Sequence, residues 1–283
     1  MISIHHLKKT YPEFVLDLDQ LTVPKGRICG LVGTNGSGKS TTFKILLGLV
    51  EADSGEAKIF DQNVWNLPVA LKQDIGVVFN DSGYDPNFRL TDIAEVQKAF
   101  FPSFDESWFY SLCSQMELPK DQKISSFSTG MLARLKVIAA ISHHPKLLIL
   151  DEPTSGLDVI ARGKILDLIG QHMETEDNSV LISSHIASDL EEICDDFYMI
   201  HDGKIVLHQT IDQLLNEFGI LLLNEQQYEQ LDKRAALAMM KDRGGIRVLV
   251  SDRQFYQENY PDLVLDKGGI DNMIRIFEEG SRL

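Results

Sequence analysis

The chain has 283 residues, 43% of them hydrophobic, and a formal net charge of −15. That length and apolar content suit one large globular domain with a small appendage. The acidic balance argues against broad contact with nucleic-acid phosphates and against adhesion to an anionic membrane, since both want a basic face.

Residues 1–6 carry neither the basic run nor the apolar stretch of a leader peptide. The alternation of Ile2 and Ile4, then Val15, Leu16, Leu18, Leu21 and Val23, predicts two antiparallel strands. Residues 27–32 read as a buried strand that runs into a glycine-rich loop at 33–38 and a helix from Lys39 to about Leu49. A strand pair around 57–60 and a strand at 75–79 follow. Between about 91 and 121 the pattern is helical and crowded with Phe100, Phe101, Phe104, Trp108, Phe109 and Tyr110. Past Met131 an apolar period near 3.6 predicts a helix to about His143, closed by Pro145. Then come a strand at 147–150, a helix at about 159–173, a strand at 180–183, a helix at about 187–194 and a hairpin over 197–207 turning at Asp202-Gly203. Strands alternating with helices indicate an α/β core with a largely parallel sheet. Beyond about Leu214 a strand at 220–223, a helix near 231–241, a strand at 246–251 and a helix near 270–279 suggest a small α+β appendage. No apolar run approaches the roughly 20 residues of a spanning helix, so a soluble chain is expected, one that serves a membrane only by docking. Cys29, Cys113 and Cys194 are far apart and show neither metal spacing nor a disulfide framework, which fits a reducing compartment.

Gly33-Thr34-Asn35-Gly36-Ser37-Gly38-Lys39-Ser40 fits G-x-x-x-x-G-K-[ST] between a predicted strand and a predicted helix. Its glycines allow several backbone N–H groups to converge on one anion, and the helix that follows adds the positive end of its dipole. The expected phosphate-binding set is Gly33 through Thr41. Within it Lys39 reaches the β/γ-phosphates, and the Ser40 hydroxyl ligates Mg²⁺. A second metal-holding residue is expected at the end of a buried strand, and Asp151 ends the strand at 147–150. Glu152, one residue on, is placed to act as general base on the attacking water. ATP and Mg²⁺ are the cofactors this pairing calls for.

With these motifs in place the chain resembles an ABC-type nucleotide-binding domain, and the resemblance covers about residues 1–215. Tyr11 stands where the family places an aromatic that stacks on adenine. Phe127-Ser128-Thr129-Gly130-Met131 stands where the family has Leu-Ser-Gly-Gly-Gln, and the stretch from Pro153 to Asp158 matches the D-loop region. His185 matches the switch histidine that senses the γ-phosphate. The resemblance implies a P-loop NTPase core of ABC type with an antiparallel β subdomain, an α-helical subdomain and a small α+β C-terminal appendage. The implied division is an ATPase domain over 1–214, its helical subdomain over about 81–143, and a C-terminal domain over 215–283. It also implies a head-to-tail pair of ATPase subunits, in which Ser128, Thr129 and Gly130 of one copy face the γ-phosphate held by the other.

Two departures bear on turnover. Asn80 stands where the family has Gln as a ligand to Mg²⁺ or the lytic water, and it is one methylene shorter. Thr129 and Met131 replace the first Gly and the final Gln of the signature, and a β-branched residue narrows the backbone. The aromatic helical stretch leaves two readings open: a groove gripping a short helix of a membrane subunit, or ordinary core. The tail, with Arg247-Val248-Leu249-Val250-Ser251 and Gly269-Ile270-Asp271-Asn272-Met273-Ile274, is similar to that of bacitracin-resistance and toxin-peptide exporter ATPases. The expected function is therefore ATP hydrolysis that drives export of a peptide, antibiotic or lipid-like cargo. The expected partners are a separately encoded integral membrane permease and a second ATPase subunit, at the cytoplasmic face of the membrane. An importer subunit and an ATP-dependent switch without transport stay open. A ribosome-acting or DNA-repair ATPase is disfavoured by the single cassette and the lack of a long heptad repeat.

Overall fold

The alternating residues near the N-terminus form β1 (Ile2–Tyr11) and β2 (Phe14–Val23), paired antiparallel with their apolar side chains in one core. The fully buried β3 (Ile28–Val32) leads through the glycine-rich loop into α1 (Lys39–Leu46). Next come β4 (Ser54–Ile59), β5 (Gln62–Asn63), α2 (Val69–Lys72) and β6 (Ile75–Val78). Helices α3 (Leu90–Phe100), α4 (Glu106–Gln115) and α5 (Thr129–Ile141) follow. Asp105 and Ser128 cap the last two by accepting from the Trp108 and Met131 N–H groups. Then β7 (Leu147–Asp151), α6 (Val159–His172), β8 (Ser179–Ser184) and α7 (Ala187–Ile193) lead to the hairpin of β9 (Asp196–His201) and β10 (Lys204–Thr210). The remainder is α8 (Ile211–Glu217), β11 (Gly219–Leu223), α9 (Glu225–Gln230), β12 (Ala236–Asp242), β13 (Gly245–Val250), α10 (Arg253–Asn259), β14 (Val264–Asp266), α11 (Ile270–Glu279) and β15 (Ser281–Arg282). The chain is seen here as a computed structural model that describes residues 1–79 and 83–283. Asn80 lies outside the described residues.

Among the described residues three sheets form. β2-β1-β4-β5 is antiparallel, and β10-β9-β3-β8-β7-β6 is parallel except for β10 at its edge. β14-β11-β13-β12-β15 is antiparallel. The central sheet is buried on both faces, which is why its strands read as unbroken apolar runs. Successive residues of β7 serve opposite cores: Leu148 and Leu150 join the helices, whereas Leu147 and Ile149 join α1 and the first sheet. β3, β8 and β9 divide in the same way.

The C-terminal segment corrects one expectation. The stretch at 231–241 is not a helix: α9 ends at Gln230, and Ala236–Asp242 is a strand paired with β13 and β15. Its Ala, Leu and Met residues favour helix, but burial of alternate residues Ala236, Ala238 and Met240 against the sheet overrides that weak preference. The turn signal missed was Gly244-Gly245, which closes the β12–β13 hairpin with Gly245 at φ 127°. α11 forms as expected. Its Ile270, Met273, Ile276 and Phe277 are buried at helical spacing, in a core continuous with Leu190 of α7 and Leu214 of α8.

The aromatic stretch is largely core. Phe109 is fully buried, Phe104 and Tyr110 pack on it, Phe101 stacks on His143 and Trp108 on His144. Of the six aromatics, Phe100 projects into solvent, 68% exposed.

His172 at the end of α6 is 7% exposed and its Nε2 has no partner. Burial pushes its pKa down to about 4 from the ordinary 6.5. The unfolded chain therefore takes up a proton that the folded chain refuses. The stability this residue contributes is fully present above pH 6.5 and is lost as pH falls toward 4. His143 shifts in the same direction, also through burial. In urea titrations at pH 7 and pH 5, His172→Phe should spare the protein about 2 kcal/mol of the acid loss. Equal losses in parent and variant would acquit His172.

Candidate functional site

Three parallel strands that lie side by side, β3, β8 and β7, end at one edge of the central sheet. The lysine loop follows the first, His185 the second, and Asp151-Glu152 closes the third. Such an edge is where open α/β sheets bind ligands.

The loop is held by close backbone approach. A Cβ at Gly33 would sit 2.1 Å from the Ile200 carbonyl oxygen and 2.5 Å from Ser37 Oγ. Gly38, the N-cap of α1, has φ 117°, a conformation that L side chains rarely adopt. Lys39 is buried: its Nζ donates to the carbonyls of Gly33 at 2.6 Å and Thr34 at 3.2 Å, and lies 3.6 Å from Glu152. Thr34, Asn35, Gly36, Gly38, Lys39, Ser40 and Thr41 line a cleft of about 530 Å³, closed by Asp151, Glu152, Glu13 and Phe14. Gly33 and Ser37 lie behind its wall. Tyr11 does not line it but stacks on Phe14, ring centroids 6.5 Å apart. Phe14 was missed in the sequence, where it reads only as the apolar start of β2.

At the floor of the cleft the Ser40 hydroxyl donates to Asp151 Oδ2 at 2.8 Å. Ser183 Oγ donates to Asp151 Oδ1 at 2.7 Å and accepts from the Glu152 N–H at 2.9 Å. Ser183 thus fixes the Asp151 carboxylate and the backbone of Glu152. Only its place on a strand was legible beforehand. The Ser40–Asp151 pair fits Mg²⁺, which takes one or two protein oxygens and completes its shell with water and phosphate. Among the described residues no cluster of three or more His, Cys, Asp or Glu could hold a metal by itself.

Glu152 has φ 52°, a left-handed conformation that costs a non-glycine residue roughly 1–2 kcal/mol. The turn aims its carboxylate at His185: Oε2 lies 2.5 Å from Nδ1 and accepts from the His185 N–H at 3.2 Å. Asp189, 2% exposed, backs this turn by accepting from Thr154 Oγ1 at 2.7 Å, with Arg162 at 3.5 Å. Burial pushes its carboxyl pKa up, against the pull of Thr154 and Arg162. In the sequence Asp189 looks like one more acid on a helix.

The signature residues stand apart from the phosphate cleft. Ser128 caps α5, with Oγ accepting from Met131 N–H at 3.2 Å; Thr129 is exposed and Gly130 half-buried. Thr129 lines a second, mostly apolar cavity of about 430 Å³ that meets the phosphate cleft at Asp151 and Glu152. Asp158 caps α6 by accepting from Ala161 N–H at 2.8 Å.

Comparison with known proteins agrees with this geometry. A family model described as ABC transporter matches residues 16–155. The lantibiotic transport ATP-binding protein SrtF of Streptococcus pyogenes is 35% identical over 215 residues, covering 75% of this chain and 92% of that protein. The bacitracin transport ATP-binding protein BcrA of Enterococcus faecalis is 32% identical, covering 76% of this chain and 70% of that protein. A solved ATP-binding subunit of an ABC transporter shares the fold at a TM-score of 0.68 and 24% identity, over 76% of this chain and 91% of that one. A lysine loop, an acidic strand end and a histidine meeting at one sheet edge, in a chain with these relatives, mean that the protein belongs to the ABC transporter family as an ATP-binding subunit.

Proposed function

We propose that the chain binds Mg–ATP in the cleft above α1, hydrolyses it, and so drives export of a peptide, antibiotic or lipid-like cargo through a separate integral membrane permease. The observation that carries this reading is the meeting of Lys39, Ser40, Asp151, Glu152 and His185 within hydrogen-bond or ion-pair reach.

Lys39 and the N-terminus of α1 take the β/γ-phosphates, with Thr34 to Thr41 supplying backbone N–H groups. Mg²⁺ bound by Ser40 and Asp151 would neutralise charge on the phosphate oxygens, with Asn80 as a further candidate ligand. Glu152 accepts a proton from the water that attacks the γ-phosphorus. The new P–O bond forms as the bond to the β–γ bridging oxygen breaks, leaving ADP and phosphate. His185 orients the Glu152 carboxylate and lies where the γ-phosphate is sensed. Tyr11, backed by Phe14, takes the adenine.

Ser128, Thr129 and Gly130, together with Asp158, serve a second copy: two subunits clasp two ATP molecules head to tail as a homodimer. Residues 1–214 act as the ATPase domain, with its helical subdomain over about 81–143, and residues 215–283 as a C-terminal domain. Among the described residues no helix is long and apolar enough to cross a membrane, so a place at the cytoplasmic face of the membrane depends on the permease. SrtF and BcrA, transport ATP-binding proteins for a lantibiotic and for bacitracin, support the cargo class.

Purified protein should release phosphate from ATP only when Mg²⁺ is present, and should pellet with membranes only when its permease is co-expressed. Nucleotide binding without turnover would instead favour an ATP-dependent switch.

A further inference from the structure

The last turn of α11 reaches the phosphate loop. Glu278 is nearly buried, its side chain 9% exposed. Its Oε2 accepts from Thr34 Oγ1 at 3.2 Å and lies 2.8 Å from His201 Nδ1. Its Oε1 is buried without a partner, an arrangement that a packed helix tolerates only with compensation elsewhere. The other end of the same helix holds the loop after His185. Asp271 Oδ1 accepts from the Ala187 N–H at 3.2 Å, and Glu191 Oε1 accepts from the Ile270 N–H at 2.8 Å. Between these ends the buried Ile270, Met273, Ile276 and Phe277 pack the helix into the core.

One ten-residue helix, about 15 Å long, therefore ties Thr34 on one side of the cleft to the turn that carries His185 on the other. We propose that α11 is a brace across the nucleotide site, with Glu278 as the positioning residue for the phosphate loop. The inference rests on the reading that this loop binds ATP. Holding Thr34 in place pre-organises the loop, and by reciprocity bound nucleotide must tighten the seat of α11. The C-terminal segment is thus coupled to the occupancy of the site.

The test uses the full chain and a fluorescent ATP analogue, with thermal melting as a check on folding. Glu278→Ala should weaken nucleotide binding roughly three- to tenfold, the net range for one solvent-accessible hydrogen bond, and raise KM far more than it lowers kcat. Glu278→Gln, which keeps an acceptor for the threonine, should recover most of the affinity. Thr34→Val should match Glu278→Ala, and the double variant should be no worse than either alone. Independent, additive losses would overturn the brace, as would a Glu278→Ala affinity equal to the parent's. If Glu278→Ala does not fold, hydrogen exchange of the parent decides: residues 270–279 should exchange more slowly with ATP bound, and unchanged exchange overturns the brace. A parent chain that binds no nucleotide at all would overturn the assignment of the whole site, which separates that failure from this one.

Discussion

Glu152→Gln is expected to cut ATP turnover about a thousandfold, the middle of the range for loss of a general base, while leaving ATP affinity within about twofold. The substitution keeps volume and an acceptor oxygen, so His185 Nδ1 retains its neighbour and the left-handed turn at φ 52° retains its shape. What is lost is the capacity to take a proton from water. The Glu152 N–H bond to Ser183 Oγ comes from the backbone and survives. Phosphate release and nucleotide titration on the same preparation separate the two effects. If dimerisation follows ATP binding, the variant should also accumulate as a nucleotide-bound dimer in size-exclusion chromatography with ATP. Turnover equal to the parent's would take Glu152 out of its assigned role.

Gly130→Asp should be nearly as damaging, for a different reason. Gly130 is half-buried, and a Cβ added there would meet Leu157 Cδ2 at 3.5 Å and Ser128 Oγ at 4.0 Å, both ordinary contacts. The isolated subunit therefore has room for a side chain, and no positive φ demands glycine. If this helix N-terminus faces the γ-phosphate of a second copy, a carboxylate there places like charge against the triphosphate. Turnover should fall about a hundredfold or more, the scale for losing a pre-organised anion contact. ATP binding by the separate subunit and its melting temperature should change little. A variant that hydrolyses ATP like the parent would remove the signature from any partner's active site.

Much of this site was legible because its chemistry is local in sequence. The lysine loop needs a strand, a glycine turn and a helix in immediate succession, and all three are encoded between Arg27 and Leu46. Asp151 and Glu152 were legible because β7 is apolar up to its last residue, so the first acid marks the sheet edge. The contacts that hold these groups were not legible, because they cross between strands. Ser183 is one of two serines in a row, and which of them faces Asp151 depends on the β7–β8 register. Asp189 and Glu278 each sit among other acidic residues on polar helix faces, and only the packing of α7 and α11 separates them from their solvated neighbours. The helices expected at about 159–173 and near 270–279 formed nearly to the residue as α6 and α11. Helix-favouring composition misled at Ala236–Asp242, where pairing with two strands outweighed intrinsic preference.

The apolar seam that runs from α11 through α7 and α8 bears on how such proteins diversify. A tail joined to its motor only by a linker is an interchangeable part, free to be swapped between paralogues. Here Ile270, Met273 and Phe277 share one interior with Leu190, Ile211 and Leu214, so a foreign tail must match the shape of that seam or leave it open to water. Motor and tail are therefore expected to vary as a matched pair, and a chimera spliced near residue 215 has to carry compensating changes on α7 and α8 to stay folded.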